Sequence, residues 1–116
     1  MSVYMIYQKT NVDSDRINNM PTSVYAKAYF ALGMPTRDNV EDAVHDGLHH
    51  NMYQPTMIMH DVEARERTPF EAIFDEGNGY GDGTIKTANI RDRYSMSVGD
   101  ILMDLTNGYA HVCMPI

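Results

Sequence analysis

Apolar and polar positions alternate in short runs near the two ends of the chain and recur at helical spacing between them. From Ser2 to Gln8 the run Val3-Tyr4-Met5-Ile6-Tyr7 is β-branched and aromatic, which predicts a first strand. Lys9 to Met20 is polar and rich in Asn and Asp, so it reads as a loop, and Pro21-Thr22-Ser23 supplies helix-start chemistry. A helix over 23–32 would bury Tyr25, Ala28, Tyr29 and Leu32, with Gly33 and Pro35 as its stop. Thr36-Arg37-Asp38-Asn39-Val40 can cap a second helix, whose inner face carries Val40, Ala43, Val44 and Leu48. Met57-Ile58-Met59 then predicts a strand, with Pro55 at its edge or beginning because proline cannot donate to a ladder.

In the second half, Thr68-Pro69-Phe70-Glu71 is a helix start. Thr68 can accept from the Glu71 amide while Glu71 reaches back, and Pro69 sits where a missing amide hydrogen is harmless. Phe70, Ile73 and Phe74 share one face at spacings of three and four and are assigned to the core, leaving Glu71, Asp75 and Glu76 to solvent. Gly77-Asn78-Gly79-Tyr80-Gly81-Asp82-Gly83 reads as a surface loop. It lacks the Lys-Ser/Thr ending of a phosphate loop and the ligand spacing of a calcium-binding hand. Ile101 to Leu105 predicts a strand with Ile101, Met103 and Leu105 on its core face. Asn107-Gly108 predicts a two-residue type I′ turn, and a last strand follows in which Tyr109, His111 and Cys113 alternate with Ala110, Val112 and Met114. Together these elements predict one α+β domain over 1–116, a small, mainly antiparallel sheet with two or three helices packed against it.

Composition narrows the function classes. With 116 residues, 43% apolar and 22% charged, the chain has the size and balance of one globular domain. No apolar run approaches the ~20 residues that span a bilayer. The N-terminus lacks the basic flank of a signal peptide, and Cys113 is a lone cysteine, both of which suit the cytoplasm. A net charge of −7 disfavours a phosphate-backbone binder, which needs clustered Lys and Arg, so no direct nucleic-acid contact is expected. The acids cluster instead: Asp38, Glu41, Asp42 and Asp46 in one segment, Glu71, Asp75 and Glu76 in another. Such a face can attract a basic protein surface, or simply keep a small domain soluble.

Candidate chemistry is sparse. His45 and His49 would share a helix face beside Asp42 and Asp46, with His50 and His60 as further nitrogens, but no zinc-protease pattern or cysteine pair accompanies them. No metal or cofactor is therefore assigned. Ser95 and Ser97 lack a glycine-flanked nucleophile elbow, which favours turn and edge roles. Ser-Val-Gly-Asp places an apolar anchor at Val98, a residue tolerant of positive φ at Gly99, and at Asp100 a side chain able to bond nearby amides. A Cys113-His111 nucleophilic pair has no evident activator. Ten methionines read mainly as strand and core filler.

One family pattern emerges. Phe70-Glu71-Ala72-Ile73-Phe74 on a helix, followed by Arg93-Tyr94-Ser95-Met96-Ser97-Val98-Gly99-Asp100-Ile101 and a hairpin, resembles YodL-like proteins and related small proteins of phages, plasmids and conjugative elements. The resemblance covers about residues 67 to 116, and Tyr94 stands where Arg is usual before the first Ser. It implies a mobile-element setting and a motif at Ser95, Ser97, Val98, Gly99 and Asp100. The expected function is a non-enzymatic accessory protein of the cytoplasm that binds and modulates a host protein, for example transcription or defence machinery, through the acidic surface. The alternatives are a metal or small-ligand binder using His45, His49 and the glycine-rich loop, and a self-assembling module using the last strand as an edge.

Overall fold

The computed structural model describes residues 2–9, 53–63 and 68–113, together with positions 38, 41, 42, 44 and 45. Its elements are β1 (Ser2–Lys9), β2 (Tyr53–Val62), α1 (Pro69–Gly77), β3 (Lys86–Asn89), β4 (Ile101–Asp104) and β5 (Tyr109–Val112). The strands form one five-stranded sheet in the order β3-β2-β1-β4-β5, and every neighbouring pair is antiparallel.

The hydrophobic pattern of β1 explains its central place. Tyr4, Ile6 and Gln8 are buried on one face, while Met5, Tyr7 and Lys9 are half-buried on the other, so neither face is free to be a purely polar exterior. Ile6 stands opposite Met57 on β2 and Leu102 on β4, which makes a continuous apolar row across three strands. Tyr4, Met59 and Val62 extend this core, Ala72 and Ile73 of α1 cover it, and Ile85 and Met96 pack into the same cluster.

β2 has ten residues against the eight of β1, and the register absorbs the surplus at two places. One register shift lies at Thr56, where Ile6 faces Met57 but Tyr7 faces Pro55. The other falls between the Ser2–Val62 and Tyr4–Met59 pairs, beside Asp61, whose φ of 61° is positive. Pro55 lies on the part of β2 that β3 does not reach, since β3 pairs only with Met57 to His60. That placement spares a ladder bond, as expected of a proline.

The α1 capping box forms. Glu71 N–H donates to Thr68 Oγ1 (3.3 Å) and Thr68 N–H donates to Glu71 Oε2 (3.2 Å). The buried face, however, is Ala72, Ile73 and Gly77, not the expected Phe70, Ile73 and Phe74. Close approach contributes: a Cβ at Gly77 would lie 2.5 Å from both Cγ and Sδ of Met96, so a larger residue there would have to displace the Met96 side chain. The two phenylalanines are left 41% and 42% exposed.

Three further expectations are corrected, and one strand is added. Among the described residues one helix packs on the sheet rather than two or three, and strand residues outnumber helical ones, 43% to 19%. Glu41, Asp42, Val44 and His45 do have helical backbone, but the proposed helix over 23–32 and positions Val40, Ala43 and Leu48 lie outside the described residues. β3 was not anticipated, because Lys-Thr-Ala-Asn carries no apolar alternation. On β4 the face beneath α1 is Leu102 and Asp104; Ile101 is buried on the opposite face, Met103 is half-buried there, and Leu105 is exposed beyond the strand. The hairpin loop has four residues, 105–108, because Asp104 pairs with Tyr109. The Asp104 carboxylate organises it, accepting from Thr106 N (2.9 Å), Asn107 N (3.0 Å) and Asn107 Nδ2 (2.9 Å). Only Gly108, at φ 80°, takes the left-handed conformation, so a type I′ turn is excluded.

Replacing Thr68 by Ala removes the cap and should destabilise the protein by about 1 kcal/mol. Urea unfolding checks this, and an unchanged midpoint would contradict the cap's contribution.

Candidate functional site

The family-like motif sits where the chain returns to the sheet at the start of β4. Asp100 N–H donates to the Ser97 carbonyl (3.1 Å), closing a four-residue turn with Gly99 third at φ 93°, as a type II turn demands. Gly99 N–H donates to the Cys113 carbonyl (2.9 Å), and Cys113 N–H donates to the Asp100 carbonyl (2.9 Å). Two residues thus oppose one, and the first of the two is a left-handed glycine, the arrangement of a G1 bulge. Ser-Val-Gly-Asp is therefore a turn joined to a bulge, which explains the residue type at each position.

Buried side chains lock this turn to the sheet. Gln8 Nε2 donates to the Tyr94 carbonyl (3.0 Å) and to Asp100 Oδ2 (3.1 Å). Gln8 Oε1 accepts from Thr56 Oγ1 (2.9 Å) and from Tyr94 N (3.1 Å). Asp100 Oδ2 also accepts from Ser97 N (3.0 Å), and the Tyr53 hydroxyl donates to the Gly99 carbonyl (3.0 Å). The register shift at Thr56 lets its hydroxyl reach Gln8. Among the described residues, no buried side-chain nitrogen or oxygen lacks a partner. Sequence reading identified Asp100 as a backbone-bonding acid but missed Gln8, Tyr53 and Thr56. A glutamine inside an apolar alternating strand was the available signal, since burying it requires partners.

Electrostatics give this cluster a structural character. Burial, opposed by the Gln8 and Ser97 hydrogen bonds and the charge of Lys9, pushes the Asp100 carboxyl above its ordinary range. Burial, and then the charge of Asp100, push Tyr53 upward. The same two causes raise the Cys113 thiol to about 11, so it is a neutral thiol at physiological pH and a poor nucleophile. Its strand neighbour His111 packs against Phe70, with ring centroids 4.6 Å apart and the rings tilted by 51°. Ser95 and Ser97 are exposed on the loop, and the bond that fixes Ser97 uses its backbone amide.

The acidic residues divide by role. Asp38, Glu41 and Asp42 are exposed, and Asp46 lies outside the described residues. Glu71 is exposed but committed to the α1 cap, and Glu76 Oε1 accepts from Thr87 Oγ1 (3.0 Å), so Glu76 is not the purely solvated acid expected. Asp75 is half-buried and already engaged in an interaction. The fold sets Glu71 and Asp75 one turn apart on α1, beside the exposed pair Phe70 and Phe74. His45 and His60 are exposed, His49 and His50 lie outside the described residues, and no group of three or more metal-ligating side chains gathers among the described residues. Gly79 and Gly83 take positive φ, and Thr84 N and Oγ1 donate to Asp82 Oδ1 (3.0 and 2.6 Å). The glycine-rich loop thus carries its own local bonding. No helix among the described residues is long and apolar enough to cross a membrane. No protein-family model, curated protein or solved structure matches the chain.

Gly99→Ala should cost about 1–2 kcal/mol, because an L residue is forced into the left-handed region; chemical denaturation reads the loss, and wild-type stability would refute the bulge assignment. The Asp100 shift carries a definite sign. A carboxyl whose folded pKa is raised contributes stability that is full below the unfolded value of about 3.9 and is lost as pH rises through the folded value. Asp100→Asn should therefore gain on the wild type as pH rises from about 4 to 7. Unfolding free energies measured across that range test this, and a constant difference between the two proteins would contradict it.

Proposed function

We propose that this chain is a small accessory protein of a phage or mobile element, acting in the host cytoplasm, that binds and modulates a host protein. The observation that carries the reading is the partly exposed aromatic pair of α1. Two phenylalanines one turn apart stand about two-fifths exposed, flanked by Glu71 and Asp75. Phe70 also packs against Tyr4 and His111, but part of each ring stays exposed, and an apolar surface rimmed by acids supports a docking role. Acidic flanks on a chain of net charge −7 favour a basic partner surface carrying an apolar anchor. The exposed acids Asp38, Glu41 and Asp42 add to the long-range attraction. The mobile-element setting rests on the resemblance of residues 67 to 116.

A variant can weaken this face without removing the cap. Phe74→Ser deletes an exposed ring, and Asp75→Lys places a cation near the helix C-terminus, where the dipole favours it. Bacterial host proteins captured by immobilised wild type and by the double variant should differ by one dominant partner, lost in the variant and in high salt. A partner retained equally by the variant would exclude this face, and no partner above background would overturn the binding role.

A further inference from the structure

We propose that β5 pairs with β5 of a second copy of this chain, continuing the sheet across a twofold axis. The hydrogen-bond directions supply the first ground. Cys113 turns both its amide and its carbonyl toward the β4 side, bonding Gly99 and Asp100. In an antiparallel ladder these directions alternate, so His111 and Tyr109 also bond inward and the backbone groups of Ala110 and Val112 point to the outer edge. Among the described residues no strand occupies that edge.

The two sheet edges differ in how they are protected. β3 carries Lys86, whose Nζ lies 3.5 Å from Asp61 Oδ2, and a charged lysine on an edge strand discourages further pairing. β5 reads Tyr-Ala-His-Val, with no Lys, Arg, Asp, Glu or Pro. On a chain of net charge −7, this strand without acidic side chains is a place where two copies can meet without opposing carboxylates along the seam.

The edge is also self-complementary. With the axis at His111, Ala110 of each copy exchanges amide and carbonyl bonds with Val112 of the other, satisfying all four outward groups on each strand. His111 lies on the α1 face, where Phe70 packs against it with ring centroids 4.6 Å apart. Pairing therefore brings the partly exposed Phe70 rings of both copies to the seam, adding apolar burial to the hydrogen bonds. Tyr109, now 66% exposed, would stand opposite Cys113 of the second copy. Isologous contacts of this kind close at two subunits.

Sedimentation velocity of the purified chain over a wide concentration range tests the assignment. The wild type should pass from monomer to dimer mass as concentration rises. Ala110→Pro removes the outward amide while leaving the bonds to β4, and Ala110→Lys keeps the backbone but adds a charge at an exposed position. Each should weaken association by at least about tenfold. Far-ultraviolet circular dichroism establishes that the variants are folded, and Ala110→Lys alone suffices if the proline variant is not. A wild type that stays monomeric throughout, or folded variants that associate as strongly as the wild type, would overturn the pairing. The measurement contains no host protein, so its outcome is separate from that of the partner capture.

Discussion

The buried amide of Gln8 is the constraint around which the rest of the sheet is arranged. An amide removed from water must find partners, and leaving one of its groups unsatisfied costs on the order of 1–3 kcal/mol. Gln8 meets that demand with bonds to Thr56 on β2 and to Tyr94 and Asp100 on the loop that leads into β4, two segments far from it in sequence. Satisfying them places Thr56 at its register shift, holds the approach to β4, and sets Asp100 where its carboxylate can close the Ser97 turn. The central strand thereby specifies more than apolar packing could, since Ile6 alone would tolerate several neighbours of similar size.

This arrangement also separates structure from interaction. The motif residues Gly99 and Asp100 are buried and consumed by the turn, the bulge and the Gln8 network, so their chemistry faces inward. A second acid does similar work at the other end of β4. There the Asn107 side chain, with the Asn107 and Thr106 amides and the Tyr4 hydroxyl, holds Asp104 below the ordinary carboxylate range. Tyr4 in turn contacts Phe70 edge-on, with ring centroids 6.4 Å apart. The features left exposed are of another kind: parts of the aromatic rings on α1 and a strand edge without acidic side chains, meeting where Phe70 packs against His111. The proposed binding and the proposed pairing would use adjacent surface, which would couple self-association to partner recognition.

Local chemistry made part of this fold readable from the residues alone. The Thr68 capping box, the β1 alternation, the edge position of Pro55 and the left-handed glycine in Ser-Val-Gly-Asp each depend on groups within a few residues of one another, so the sequence determined them. The inward face of α1, the core face of β4, strand β3 and the four-residue hairpin loop did not follow from such rules. Phe70 and Phe74 have the right spacing for a core stripe, yet the helix turns Ala72, Ile73 and Gly77 inward, with Gly77 seated closely against the Met96 side chain. Ile101, Met103 and Leu105 form the more apolar set, yet Asp104 turns inward because three donors in its own loop and Tyr4 on β1 receive it. Lys-Thr-Ala-Asn becomes a strand only because β2 offers it a ladder. Long-range partners decided these features, and periodicity, which counts neighbours along the chain, carries no information about distant donors or the space beneath a helix.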